Sequence, residues 1–170
     1  MTVLFAINRL LHQERAIQAL AAGVDDEQAR WKPTPGEWSI LEVINHLYDE
    51  EREDFRQRLE LTLRQPQADW PPIDPAGWVT ARRYNERDLA ESLQNFHAER
   101  ENSLAWLRSL HHPDLTTAKV HPVMGTMRAG DLLAAWVAHD CLHIRQLNEL
   151  LYLYNAQKAK PYAVEYAGDW

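Results

Sequence analysis

One cysteine in 170 residues, Cys141, excludes an intramolecular disulfide. A chain of this length needs none, because it can bury a core by packing alone. The lone thiol fits a reducing compartment, and the expected location is the cytoplasm. Basic runs of the kind that track phosphates are missing, and 18 basic against 25 acidic residues leave a formal charge of −7. That balance argues against nucleic acid as a partner. No apolar stretch approaches the roughly 20 residues of a membrane span, so no membrane partner is expected. The amino-terminal stretch MTVLFAINRLLHQERAIQAL lacks a basic leader and a small-residue cleavage site, and reads as a helix rather than a targeting segment. No internal repeat or low-complexity segment stands out.

What the chain does have is helical periodicity in four long stretches. The first runs from about Thr2 to Ala22, with Leu4, Ile7, Leu11, Ile17 and Leu20 at helical spacing and Gly23 as a stop. His12 lies with Gln13 and Glu14 on a mixed surface and reads as solvated. Asp25 to Arg30 reads as a connecting turn, and WKPTPGEWS is too rich in proline and glycine for a regular helix. Ser39 opens the second helix with a Ser39–Glu42 capping box, and Ile40, Val43, Ile44 and Leu47 form its buried stripe. Gln65 to about Trp78, with four prolines, is expected to be a long loop that packs on the bundle end and crosses between parallel neighbours. The third helix spans about Asp88 to Leu110, opened by an Asp88–Glu91 box and built on Leu89, Leu93, Phe96, Leu104 and Leu107. His97 reads as surface, while His111 and His112 suit the negative end of the helix dipole before Pro113. His121 falls in the next loop. Thr126 is the expected N-cap of the fourth helix, which continues to about Asn155. The expected fold is an all-α four-helix bundle with a long crossover connection, residues 1–157, followed by a short tail, 158–170.

The chemistry concentrates in WVAHDCLHIRQLNEL, Trp136 to Leu150. His139 and His143 stand four residues apart, which on a helix is about 40° of turn and 6 Å of rise. Both leave the face shared by Leu132, Trp136, Gln146 and Leu150, the stripe expected to face the core. Eight histidines make such a spacing a weak signal by itself. Its position on an apolar face is stronger, because buried imidazoles need a partner and a shared metal ion supplies one. Cys141 lies about 200° from His139 and faces away. Asp140 lies about 100° round, so HDxxH makes a poor match to the zinc-protease HExxH, and the wheel favours His143 over Asp140 for the core. His46 sits at the border of the second helix's stripe, with Glu50 one turn on. Glu50 belongs to the acidic run DEERED, which also reads as a solvated face. Glu50 and Gln146 are the candidates to orient a ligand or act as a base.

Several stretches together resemble the DinB/YfiT-like family of metalloenzymes: WKPTPGEWSILEVINHLYDEE, YNERDLAESL, GTM and AHDCLHIRQL. The resemblance covers roughly Leu4 to Tyr154. It implies a four-helix bundle, often dimeric, with a three-histidine divalent-metal site falling on His46, His139 and His143. Zinc and nickel suit such ligands. An open metal site allows hydrolysis by metal-activated water or, as in characterised family members, transferase and isomerase chemistry that uses a low-molecular-weight thiol on a small electrophile. A non-catalytic, metal-stabilised binding or dimerisation module is the alternative.

Overall fold

The computed structural model describes residues 1–121, 123–168 and 170. Pro122, which follows His121 in the expected loop, and Asp169 of the tail lie outside the described residues. Four rods make the bundle. The first is α1, Val3–Ala21. The second is continuous from α3, Ile40–Glu50, through a π-helical turn at Glu51–Phe55 into α4, Arg56–Arg64. The third is α6, Leu89–Ser109, and the fourth α7, Ala129–Lys158. Shorter helices sit in the connections: α2, Asp26–Arg30, and α5, Pro75–Ala81.

The side-chain bonds between rods give their directions. Asn45 reaches Ser92, Glu51 reaches Arg100 and Arg56 reaches Ser103. The numbers rise together, so the second rod and α6 are parallel, as a crossover between Arg64 and Leu89 requires. His46 instead meets His139 while Glu51 meets Trp136, which makes the second rod and α7 antiparallel. Two apolar clusters fill the interior. One lies around Leu10, Leu59, Leu104 and Trp136, the other around Ile17, Ile44, Phe96 and Leu147. No helix among the described residues is long and apolar enough to cross a membrane.

Local chemistry sets the helix starts. Thr2 caps α1, and Gly23 just beyond it has φ +80, a conformation open to glycine. Ser39 Oγ accepts from the Glu42 N–H at 3.1 Å and Glu42 accepts from the Ser39 N–H at 2.9 Å, so the capping box is complete. Of the Asp88–Glu91 box, the structure shows the Asp88 carboxylate accepting from the Glu91 N–H at 2.8 Å.

Four expectations are corrected. Asp25 caps a short helix, Asp26–Arg30, because its carboxylate takes the Gln28 N–H; the stretch is not a bare turn. The end of the proline-rich loop is already helical, since Asp74 caps α5 with Pro75 at its first position. Thr126 does not cap the last helix. It lies in β2, Gly125–Arg128, paired antiparallel with β1, Ala118–His121, and Arg128 with Asp131 starts α7 instead. Gln13 and Glu14, read with His12 as surface, are buried, because α1 contacts both α6 and α7.

Candidate metal centre

The capping box fixes where α3 begins and therefore the direction in which His46 leaves it, two turns later. α7 supplies His139 and His143 from successive turns. His46 Nε2 lies 3.2 Å from His139 Nε2, and His143 Nε2 lies 3.1 Å from the same atom. The three side chains offer one ligand atom each, all within 4.8 Å of one another. A tetrahedral ion with Zn–N bonds near 2.0–2.1 Å spaces its nitrogens about 3.3 Å apart. The donor set and its spacing therefore fit a small divalent cation held by three imidazoles.

Burial keeps these rings neutral. It lowers the His46 pKa to about 3, helped by His143, and the His139 pKa to about 2, helped by His143 and His46. His143 is lowered too, by burial, against a hydrogen bond to Gln146. Neutral imidazole is the form that binds metal. His46 is buried more deeply than its position at the border of the stripe suggested, whereas His139 and His143 are half-buried, so the site opens on the α7 side.

Neighbouring groups orient the rings. Gln146 Oε1 lies 2.8 Å from His143 Nδ1. If that nitrogen carries the proton, the Nε2 lone pair faces the other histidines. Trp38, immediately before the Ser39 cap, packs on His46 at 4.8 Å and lies parallel to the His143 ring at 6.4 Å. Phe55, the last residue of the π-helical turn, stacks on Trp136 and contacts His139 at 5.0 Å. His46 Nδ1 is buried without a hydrogen-bond partner among the described residues.

The acidic run is not a solvated face. Asp49, Glu50 and Glu51 are all buried. The π-helical turn adds a residue to the helix and brings both Glu51 and Phe55 inward. Arginines then neutralise the run: Arg82 from the crossover and Arg52 from the run itself on Asp49, and Arg100 from α6 on Glu51. Glu50 is only 5 % exposed. Burial first, then the charge and hydrogen bond of Asp54, push its pKa up to about 8. One of its oxygens, Oε1, is buried without a partner.

Asp140, which the helical wheel set aside, is as buried as any core residue at 1 % exposure. It pairs with Arg100, whose five N–H groups are all used: two on Glu51, two on Asp140 and one on the Leu10 carbonyl. Trp136 Nε1 also donates to Glu51, at 3.0 Å. Sequence reading missed this cluster because α7 buries two faces. Leu133, Asp140, Leu147 and Tyr154 recur at seven-residue spacing, and that recurrence was the available signal. Cys141 is exposed and its Sγ accepts from Gln13 Nε2, which places it away from the centre as the wheel required. His97 sits half in solvent against Glu14, and His121 accepts from the Val123 and Met124 N–H groups; neither joins the cluster.

Parallel neighbours joined by a crossover, with histidines from two rods meeting at one point, make this a crossover four-helix bundle with a candidate metal centre. The sequence pattern of the DinB superfamily matches residues 9–147, and the chain belongs to that superfamily. Among its relatives is an Oceanobacillus iheyensis protein whose name reads "Putative metal-dependent hydrolase", 24% identical over 144 residues, 85% of this chain and 83% of that one. The fold is similar to that of YfiT from Bacillus subtilis, described as "a probable metal-dependent hydrolase with an unusual four-helix bundle topology". The TM-score is 0.76 at 21% identity, covering 87% of this chain and 85% of that chain.

Proposed function

We propose that the chain is a divalent-metal-dependent hydrolase whose ion is held by His46, His139 and His143. The observation that carries this reading is the meeting of three Nε2 atoms, those of His46 and His143 lying 3.2 and 3.1 Å from that of His139. The names of the relative and of the structural neighbour support the same reading. Three protein ligands leave coordination open, and a bound ion supplies Lewis acidity and a water that ionises near neutral pH.

The chain's own groups have distinct tasks. Gln146 holds the His143 ring by its Nδ1–H. Trp38 and Phe55 pack against the imidazoles and hold the rings in place. Glu50, one turn beyond His46 on the same rod, is the candidate proton donor, since burial pushes its pKa up to about 8. Zinc or nickel remains the expected ion, by the softness of imidazole.

The test is a panel of esters, amides and phosphate esters, run with and without small thiols, on protein as purified, stripped by chelator and reloaded with zinc or nickel. Hydrolysis lost on stripping and restored on reloading is the expected result. Turnover that requires a thiol identifies a transferase. Full metal occupancy without turnover, together with a lower melting temperature after stripping, identifies a metal-stabilised module.

A further inference from the structure

A cavity of about 410 Å³ adjoins the histidine cluster, and His143 and Gln146 are part of its wall. Trp38 lines it as well. Its charged lining groups are Glu37 and Glu149, and the rest of the wall is apolar or glycine. Both glutamates are exposed, and neither is engaged in an ion pair among the described residues. The volume suits a compact ligand at the small end of ordinary binding sites.

Gln146 adds a direction to this chemistry. A His143 that uses Nε2 for an ion carries its proton on Nδ1, so the amide oxygen of Gln146 must face that ring. The amide N–H groups then point away from it, and they make no hydrogen bond to a described residue. The cavity thus offers N–H donors beside the centre, an indole wall and two carboxylates. A matching ligand presents both a carbonyl oxygen and a positive charge.

We propose that this cavity is the substrate pocket and that it selects small cationic acyl compounds, amides or esters bearing an ammonium group, over anionic ones. The inference rests on the reading of the centre as a metal hydrolase. In the reaction the acyl C–N or C–O bond breaks, the hydroxyl of water joins the acyl carbon, and the second proton of water goes to the leaving amine or alcohol.

The probes are three hydroxamic acids of similar shape: 4-(aminomethyl)benzohydroxamic, benzohydroxamic and 4-carboxybenzohydroxamic acid. Each is titrated at low salt into cobalt-loaded protein and followed by the visible absorbance of the ion. The cationic probe is expected to bind about tenfold more tightly than the anionic one, as one or two carboxylates at the rim of a solvated pocket dictate. In the double variant Glu37→Gln/Glu149→Gln, whose exposed positions spare the fold, the ratio falls to within about threefold. Equal affinities, a preference for the anionic probe, or a ratio unmoved by the double variant overturns the proposal. Cobalt taken up but left unperturbed by all three probes also overturns it while the centre stands. If cobalt is not bound at all, the reading of the centre fails first.

Discussion

Asp140 and Arg100 meet at 2.8 Å in the middle of the bundle, one residue beyond His139 in the chain. Through its other edge the same guanidinium holds Glu51, five residues beyond His46. One buried cation therefore ties together the two helical rods that carry the histidines. Burial works against its charge, but Glu51 and Asp140 outweigh burial and raise the Arg100 pKa, while burial pushes Asp140 up to about 6.

Arg100→Met leaves two carboxylates buried without their partner. The expected loss is about 3–5 kcal/mol of stability in urea unfolding, the range for breaking a buried ion pair. Replacing all three charges together, by Glu51→Gln, Arg100→Met and Asp140→Leu, recovers most of that loss. A single variant as stable as the parent removes the cluster from the account of the fold.

Substituting a histidine of the centre, His46→Ala, His139→Ala or His143→Ala, reduces bound metal to a small fraction of the parent's in elemental analysis. Cys141→Ser leaves it unchanged, because that sulfur faces Gln13 on the other side of α7. Full occupancy in all three histidine variants ends the ligand assignment.

Gln146→Leu frees the His143 ring to take the wrong tautomer. Metal affinity falls by about 10- to 100-fold, the usual cost of losing the group that orients a ligand. Competition with a chromogenic chelator measures it, and Gln146→Glu, which keeps an acceptor, restores most of the affinity.

The imidazoles make metal-free protein acid-sensitive. In the unfolded chain they bind protons near pH 6.5, whereas the folded His46 and His139 do so only near 3 and 2. Their contribution is complete above 6.5 and is lost as pH falls below it. The melting temperature of chelator-stripped protein drops across that window, and the double variant His46→Asn/His139→Asn shows a shallower drop.

Glu50 works in the opposite sense. Its folded pKa of about 8 stands above the unfolded value of 4.5, so the folded state holds the proton more tightly. That contribution is complete below 4.5 and is lost as pH rises towards 8. Glu50→Gln, which mimics the protonated carboxyl, gains in melting temperature over the parent between pH 5 and pH 9. A gap constant over that range contradicts the burial of an ionisable carboxyl there.

Local sequence determined much of this protein. The 3.6-residue period of apolar positions sets the four rods, and the Ser39–Glu42 box sets where the His46 helix begins. The four-residue step from His139 to His143 puts both on one face, because that step is a property of any helix. Proline density marked the crossover for the same local reason. Tertiary structure decided the rest. It alone brings His46 to 3.2 Å from His139, 93 residues away. It also turned the acidic run inward, since burying Asp49 and Glu51 depends on arginines from the crossover and α6 and on one π-helical turn. A carboxylate's environment is set by charges that arrive from distant parts of the chain, whereas a helix is set by its own neighbours.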